Sequence, residues 1–340
     1  MADFLETTRL ETAGLNSGFL EAANYNVDAL VSLLALLDIQ HYVNHAITPH
    51  SHAIVNARPE NKMAKDSVGV LGWSREFLPE VLNKELFDLL LQANVLQQTE
   101  NGWKCDIRVS NYNNQRFIHS AFPTNNADSV FFGPDTYRFV RAIEQHLSSA
   151  HTKEFKPQQF ERAVDICSGS GIAAIIMGLA LPNCEVIGVD INDKALALSR
   201  INALAAKADN VRFVHSDLLK NVEGKFDFIV ANPPYLIDTL EREYRHGGGE
   251  FGEQLSLDII DAALARLAPN GTLLLYTGSA IVAGYDAFKA KVAAKLNGLN
   301  LTYSYEEIDP DVFGEELFTP VYAVCDRLAA VVLTCQLNEQ

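Results

Sequence analysis

Short apolar-rich runs recur along the second half of the chain, at residues 163–166, 186–189, 211–215, 226–231 and 271–275, and Phe228 to Ala231 is apolar without interruption. Runs of this length between turn residues predict strands buried on both faces of a parallel sheet. Helix-period stretches lie between them, at 172–181 and 256–267, so strand and helix alternate from about Glu161 onward. The alternation predicts an α/β, doubly wound, mostly parallel sheet of seven strands, closed by an antiparallel C-terminal hairpin from 301–305 and 329–335.

The first half reads differently. Asp28 is placed to cap a helix with Leu30, Leu33, Leu34 and Leu37 at helical spacing, and a second helix is expected over 84–96. Residues 103–110 alternate as one strand, Asn113-Asn114 turns, and 116–120 returns. The expected division is a smaller helical N-terminal domain with a β-hairpin, winged-helix-like in order, over 1–125, and the α/β domain over 126–340. A connector rich in Asn, Thr and Pro (123–128) joins them. Next, Gly133-Pro134 breaks the chain and Asp135 or Thr136 caps a helix; the segment Phe132–Thr136 is either a plain turn or a lid over a ligand.

Composition narrows the class. The 340 residues suffice for two domains, and 48% hydrophobic with 21% charged residues is ordinary for a globular protein. A net charge of −16 disfavours bulk binding to a phosphate backbone. Five scattered cysteines without a Cys-x-x-Cys pair suggest reduced thiols rather than disulfides or zinc. His41, His45, His50 and His52 lie close together, but no nearby carboxylate or Cys completes a ligand set, so no metal is expected. Residues 1–11 lack a cationic segment followed by an apolar one, and the longest apolar stretch, 29–39, is interrupted by Ser32 and stops at Asp38. No signal peptide or membrane span is expected, and the location is expected to be cytoplasmic.

The chemistry begins where the apolar run 226–231 ends, in Asn232-Pro233-Pro234-Tyr235. Two prolines fix two φ angles and remove two N–H donors, so the loop is stiff. At the carboxyl end of a strand such a loop can offer the Asn232 side-chain carbonyl and backbone carbonyls to the hydrogens of a planar nitrogen, with the Tyr235 ring as a stacking face. Alone, the four residues also suit a surface turn. Sixty residues upstream, Asp165 closes the first strand ahead of a glycine turn, Ser168-Gly169-Ser170-Gly171. With Ala174 at the third position this could serve a dinucleotide. The acid just before the turn and the Asn-Pro-Pro-Tyr after the fourth strand disfavour that reading.

The run Asp165 to Gly171, Asp190 about twenty residues on, Asp217 and Asn232-Pro233-Pro234-Tyr235 together resemble the class I S-adenosylmethionine-dependent methyltransferases with a Rossmann-like fold. The resemblance is strongest to glutamine methyltransferases of the HemK type and related amino-group enzymes. It covers roughly 129–280, including Gly133-Pro134-Asp135-Thr136 and the glycine segment at 244–252; Tyr276-Thr277-Gly278 departs from the glutamate before glycine usual in that family. The resemblance implies S-adenosyl-L-methionine as cofactor, held by Phe132, Asp165, Ser168, Gly169, Gly171, Asp190, Ile191, Asp217, Leu218 and Asn232. Gly169 and Gly171 would let the backbone approach its methionine part, and Asp165 would face its cationic end and ammonium. Asp190 would take the ribose hydroxyls, Asp217 with Leu218 the adenine. Asn232, Pro233, Pro234 and Tyr235 would be catalytic. The expected acceptor is an amide or amino nitrogen; a nucleobase, a small metabolite, or a non-catalytic cofactor-binding role are the alternatives.

Overall fold

The computed structural model describes residues 25–152 and 160–338; the stretch 1–11 read above for a signal peptide lies outside them. Helix α1 (Val27–Ile39) is capped by Asn26, whose side chain accepts from the Ala29 N–H, while Asp28 sits in the first turn instead. It buries Leu30, Leu33, Leu34 and Leu37, the face that helical spacing picks out. After α2 (Pro49–Asn56) and α3 (Ser67–Leu71) comes α4 (Lys84–Gln92). It stops short of the expected 96: Asn94 turns the chain left-handed and Leu96 opens a strand.

Two hairpins follow where one was expected. Strands β1 (Leu96–Thr99) and β2 (Gly102–Cys105) pair with each other, and β3 (Ile107–Tyr112) pairs with β4 (Gln115–Ser120). The break falls at Asp106, whose N–H donates to the Val95 carbonyl and whose carbonyl accepts from Ala121 N–H, so both its backbone groups leave the ladder. An alternating sequence cannot announce such a change of partner.

Helix α5 (Pro134–Thr152) leads into the α/β part. There β5 (Arg162–Ile166), α6 (Ile172–Ala180), β6 (Glu185–Asp190), α7 (Asp193–Ala206), β7 (Val211–His215) and β8 (Phe226–Ala231) alternate. Then come α8 (Gln254–Leu264), the long β9 (Leu267–Val282), the short β10 (Tyr285–Asp286), α9 (Ala287–Leu296), β11 (Leu301–Asp309) and β12 (Arg327–Leu337). The sheet runs β11-β12-β9-β8-β5-β6-β7, with β10 paired to β9 beside this path of seven. Strands β9, β8, β5, β6 and β7 are parallel, and β12 and β11 antiparallel. Chain order reverses direction at β5, between β8 and β6, and a doubly wound sheet opens its binding crevice at the carboxyl ends of such strands.

Helix α7 joins the two halves. Residues 195–199 and 201–203 are buried in succession, the mark of a helix covered on more than one side. Leu196 and Ala203 enter the core above the sheet, while Ala195, Leu198 and Ile201 enter the core of the helical module. On the same helix the Asn202 amide donates to the carbonyls of Ile118 in β4 and of Ser170 in the glycine turn, and its oxygen accepts from the Ile118 N–H. One buried side chain therefore ties the second hairpin to the loop after β5.

Candidate functional site

The parallel strands end together beside a cavity of about 400 Å³, lined by the loops that leave β5, β6, β7 and β8 and by the connector from the helical module. The turn after β5 is left-handed at Cys167, Gly169 and Gly171. The two glycines have different reasons. A Cβ on Gly169 would meet nothing within 4 Å, so this backbone opens toward the cavity. A Cβ on Gly171 would lie 2.7 Å from Ser199 Cβ and 2.8 Å from the Phe213 ring, so Gly171 is demanded by packing on α7 and β7 rather than by a ligand.

Asp165 is 1% exposed at the end of β5. Its Oδ2 accepts from Ala174 N–H at 3.2 Å, in the first turn of α6, while the buried Oδ1 and Ser168 Oγ find no hydrogen-bond partner among the described residues. Burial pushes the Asp165 carboxyl well above the usual range, the Ala174 amide pulls it back, and the nearby Asp190 charge raises it further. Asp190, closing β6, accepts from Gly169 N–H at 2.8 Å and Asn192 N–H at 3.0 Å, which fixes both oxygens at the cavity wall. Its carboxyl is raised by burial against those two bonds, with Glu243 adding to the rise. Ile191 and Leu218 also line the cavity; Leu218 has a left-handed backbone, φ 51°, unusual for a branched residue. Asp217 lines it too, with its carboxylate mostly exposed and paired with Lys220.

Asn232 follows β8 directly and reaches the same cavity, and among the described residues nothing hydrogen-bonds its side chain. Pro233, Pro234 and Tyr235 line the cavity as well. The glycine segment downstream has a packing cause: a Cβ on Gly247 would lie 2.7 Å from the Pro234 carbonyl oxygen, and one on Gly252 would lie 2.1 Å from that of Tyr235. The two backbones can approach only without side chains. Likewise a Cβ on Gly278 would lie 2.3 Å from the Tyr235 ring, so the Tyr276-Thr277-Gly278 stretch makes room for that ring.

Three features were not legible in the sequence. Phe132, expected at the cofactor, is fully buried against Phe117, His119 and Tyr137, and it is Phe131 that lines the cavity. Asp135 does not cap its helix; its Oδ2 accepts from the Tyr235 hydroxyl at 2.7 Å and its Oδ1 from the Tyr276 hydroxyl at 2.6 Å. The connector is a wall of the site: the Thr124 carbonyl accepts from the Tyr244 hydroxyl at 2.7 Å and Arg242 at 3.1 Å. Arg242 also pairs with Asp238, and Arg245 with Asp238 and Glu316, so both lining arginines carry counter-charges. The histidines do not converge on an ion. The His52 Nε2–H donates to the Trp73 carbonyl and the ring stacks on Phe122, and among the described residues no group of three or more His, Cys, Asp or Glu could hold a metal.

The family model of the methyltransferase small domain matches residues 146–285. This segment is a methyltransferase small domain. Over 132 residues the chain is 39% identical to the ribosomal protein uL3 glutamine methyltransferase of Xanthomonas campestris, covering 36% of this chain and 43% of that protein. Over 133 residues it is 35% identical to the release factor glutamine methyltransferase of Deinococcus radiodurans, covering 36% and 48%. The chain thus matches less than half the length of either relative. A solved tRNA m1G37 methyltransferase of M. jannaschii superposes with a TM-score of 0.45 at 15% identity, over 69% of this chain and 58% of that one. Asp165 Oδ1 and Ser168 Oγ, buried and unpartnered, and the open side of Gly169 together fit a cationic, amine-bearing cofactor such as S-adenosylmethionine.

Proposed function

We propose that this protein is an S-adenosylmethionine-dependent N-methyltransferase whose acceptor is a planar amide nitrogen on a protein, a glutamine side chain. The observation that carries the reading is the position of Asn232: an amide that none of the described residues hydrogen-bonds, on a stiff loop, in the cavity that also holds Asp165, whose Oδ1 has no partner among them. The named substrates of the two relatives, a ribosomal protein and a release factor, support a protein acceptor. The net charge of −16, with both lining arginines already paired, weighs against a phosphate-bearing one. Five free cysteines suit a reducing cytoplasm, and among the described residues no helix is long and apolar enough to cross a membrane.

When bound, S-adenosylmethionine supplies a methyl on positively charged sulfur: a nitrogen–carbon bond forms as the carbon–sulfur bond breaks, its electron pair stays on sulfur, and the nitrogen sheds a proton. The protein's share is alignment and charge. Asp165 and Ser168 would face the cofactor's ammonium, Asp190 its ribose hydroxyls, and Leu218, Ile191 and Asp217 its adenine. An amide lone pair is delocalised into its carbonyl and is a weak nucleophile. The Asn232 Oδ1 and the Pro233 carbonyl would accept the acceptor's N–H bonds, and these contacts strengthen as positive charge grows on nitrogen. Prolines that fix this backbone keep the acceptors in place before the substrate arrives. Titration calorimetry with S-adenosylmethionine and S-adenosylhomocysteine, followed by labelled methyl transfer counted separately in protein, RNA and metabolite fractions, tests the reading. Binding of both and label in protein is expected; binding with label only in RNA would move the acceptor to a nucleobase.

A further inference from the structure

We propose that Asp135 is a positioning residue for methyl transfer, acting through the hydroxyl of Tyr235; the inference rests on the amide-transferase reading above. Asp135 is 3% exposed, at the second residue of α5, and each carboxylate oxygen is claimed by a different tyrosine, Tyr235 from the Asn-Pro-Pro-Tyr loop and Tyr276 from β9. Arg138, one turn on, reaches Oδ1 at 3.3 Å and continues to Asp309 in β11 at 2.7 Å. One carboxylate thus gathers a helix, the loop after β8, the centre of β9 and the end of β11.

The cost of burying that carboxylate points to its purpose. Desolvation raises the Asp135 carboxyl above its ordinary range, and the two hydroxyls and Arg138 pull it back. Both tyrosines are themselves pushed further up, so they stay protonated and donate. A core filled with apolar side chains would spare this desolvation. The ion instead buys direction. The Tyr235 ring lies against Gly278, where a Cβ would come within 2.3 Å of it, the tilted rings of Phe313 and Tyr276 stand 6.4 Å away centroid to centroid, and its hydroxyl is held by Asp135. With the tip held, the ring and the three residues before it have one placement. Tyr235 lies three residues after Asn232, and Pro233 and Pro234 transmit its placement without slack. A displacement of about 1 Å at a reacting centre can cost on the order of 100-fold in rate, so a residue that only sets the loop can still govern turnover.

Three full-length variants test this, Asp135→Asn, Tyr235→Phe and the double substitution, with the protein fraction of a cell extract as acceptor and S-adenosylmethionine as donor. Asparagine keeps the shape and can serve one tyrosine but not both as acceptor. Expected are a fall in kcat of about 10- to 100-fold for Asp135→Asn, an unchanged Kd for S-adenosylhomocysteine, and a double variant no slower than the slower single one, because both changes cut the same contact. Unfolding midpoints measured alongside, with rates repeated 15 °C below the lowest midpoint, separate loss of fold from loss of placement. An Asp135→Asn protein that matches the parent's kcat, or that regains it fully at the lower temperature, overturns the positioning role while leaving the transferase reading intact. A parent chain that methylates nothing in any fraction overturns both.

Discussion

The hydroxyl of Tyr235 donates to Oδ2 of Asp135 at 2.7 Å across 100 residues of chain, and neither group is more than 8% exposed. The aromatic ring that closes Asn-Pro-Pro-Tyr therefore has a polar anchor, and its removal has consequences that a simple stacking face would not. Tyr235→Phe leaves a buried carboxylate one donor short, which costs about 1–3 kcal/mol. Urea unfolding of parent and variant should show that loss, with an unchanged m-value.

Asp165 invites the opposite outcome. Its carboxyl is desolvated, holds one backbone amide and leaves one oxygen unpartnered. Neutralising it by Asp165→Asn should stabilise the cofactor-free protein at pH 7 by about 1 kcal/mol. The same change should weaken S-adenosylmethionine binding at least tenfold by calorimetry. A variant that melts higher and binds as tightly as the parent would detach Asp165 from the cofactor.

Asn232→Ala should lower kcat by on the order of 100-fold while KM changes little, because its contact with the acceptor nitrogen strengthens only as charge develops. Steady-state rates on the identified acceptor decide it. A rise in KM alone would make Asn232 a binding residue.

In the helical module, His52 and His119 are buried beside Arg108; desolvation, aided by that guanidinium, lowers His52 to about 4 and His119 well below its ordinary value. His52 Nδ1 accepts from Arg108 at 3.3 Å, with the Trp73 and Phe122 rings packed against it. Both rings are neutral in the fold but take protons near pH 6.5 once unfolded. Their contribution is fully present above about pH 6.5 and is lost as pH falls through about 4. The raised carboxyls of Asp165 and Asp190 work in the other direction, so the test is a difference. Between pH 7 and 5, His52→Gln should lose less stability than the parent in urea titrations.

What could be read from the sequence was what lies close along the chain. Asp165 and Asp190 stand in the last residues of β5 and β6, Asp217 and Asn232 just past β7 and β8, and neighbouring parallel strands present these ends at one edge of the sheet; all four line one cavity. Contacts between distant residues left no such trace. Thr124 meets Tyr244 across 120 residues, and Ile118 meets Asn202 across 84. Nothing in the period of either segment encodes the partner. Phe131 and Phe132 show a narrower failure: two adjacent rings must face opposite ways, and only packing against Phe117 and His119 decides that Phe132 turns inward.

The most direct measurement concerns the atom that receives the methyl. Protein labelled with tritiated S-adenosylmethionine by the full chain is hydrolysed in hot acid. A methyl on an amide nitrogen is released as methylammonium, which becomes volatile methylamine when the hydrolysate is made alkaline, whereas one on an amine, a ring nitrogen or carbon stays with the residue. Label is expected in the volatile fraction, and is expected to be lost with Asn232→Ala. Label confined to the non-volatile hydrolysate would contradict an amide acceptor.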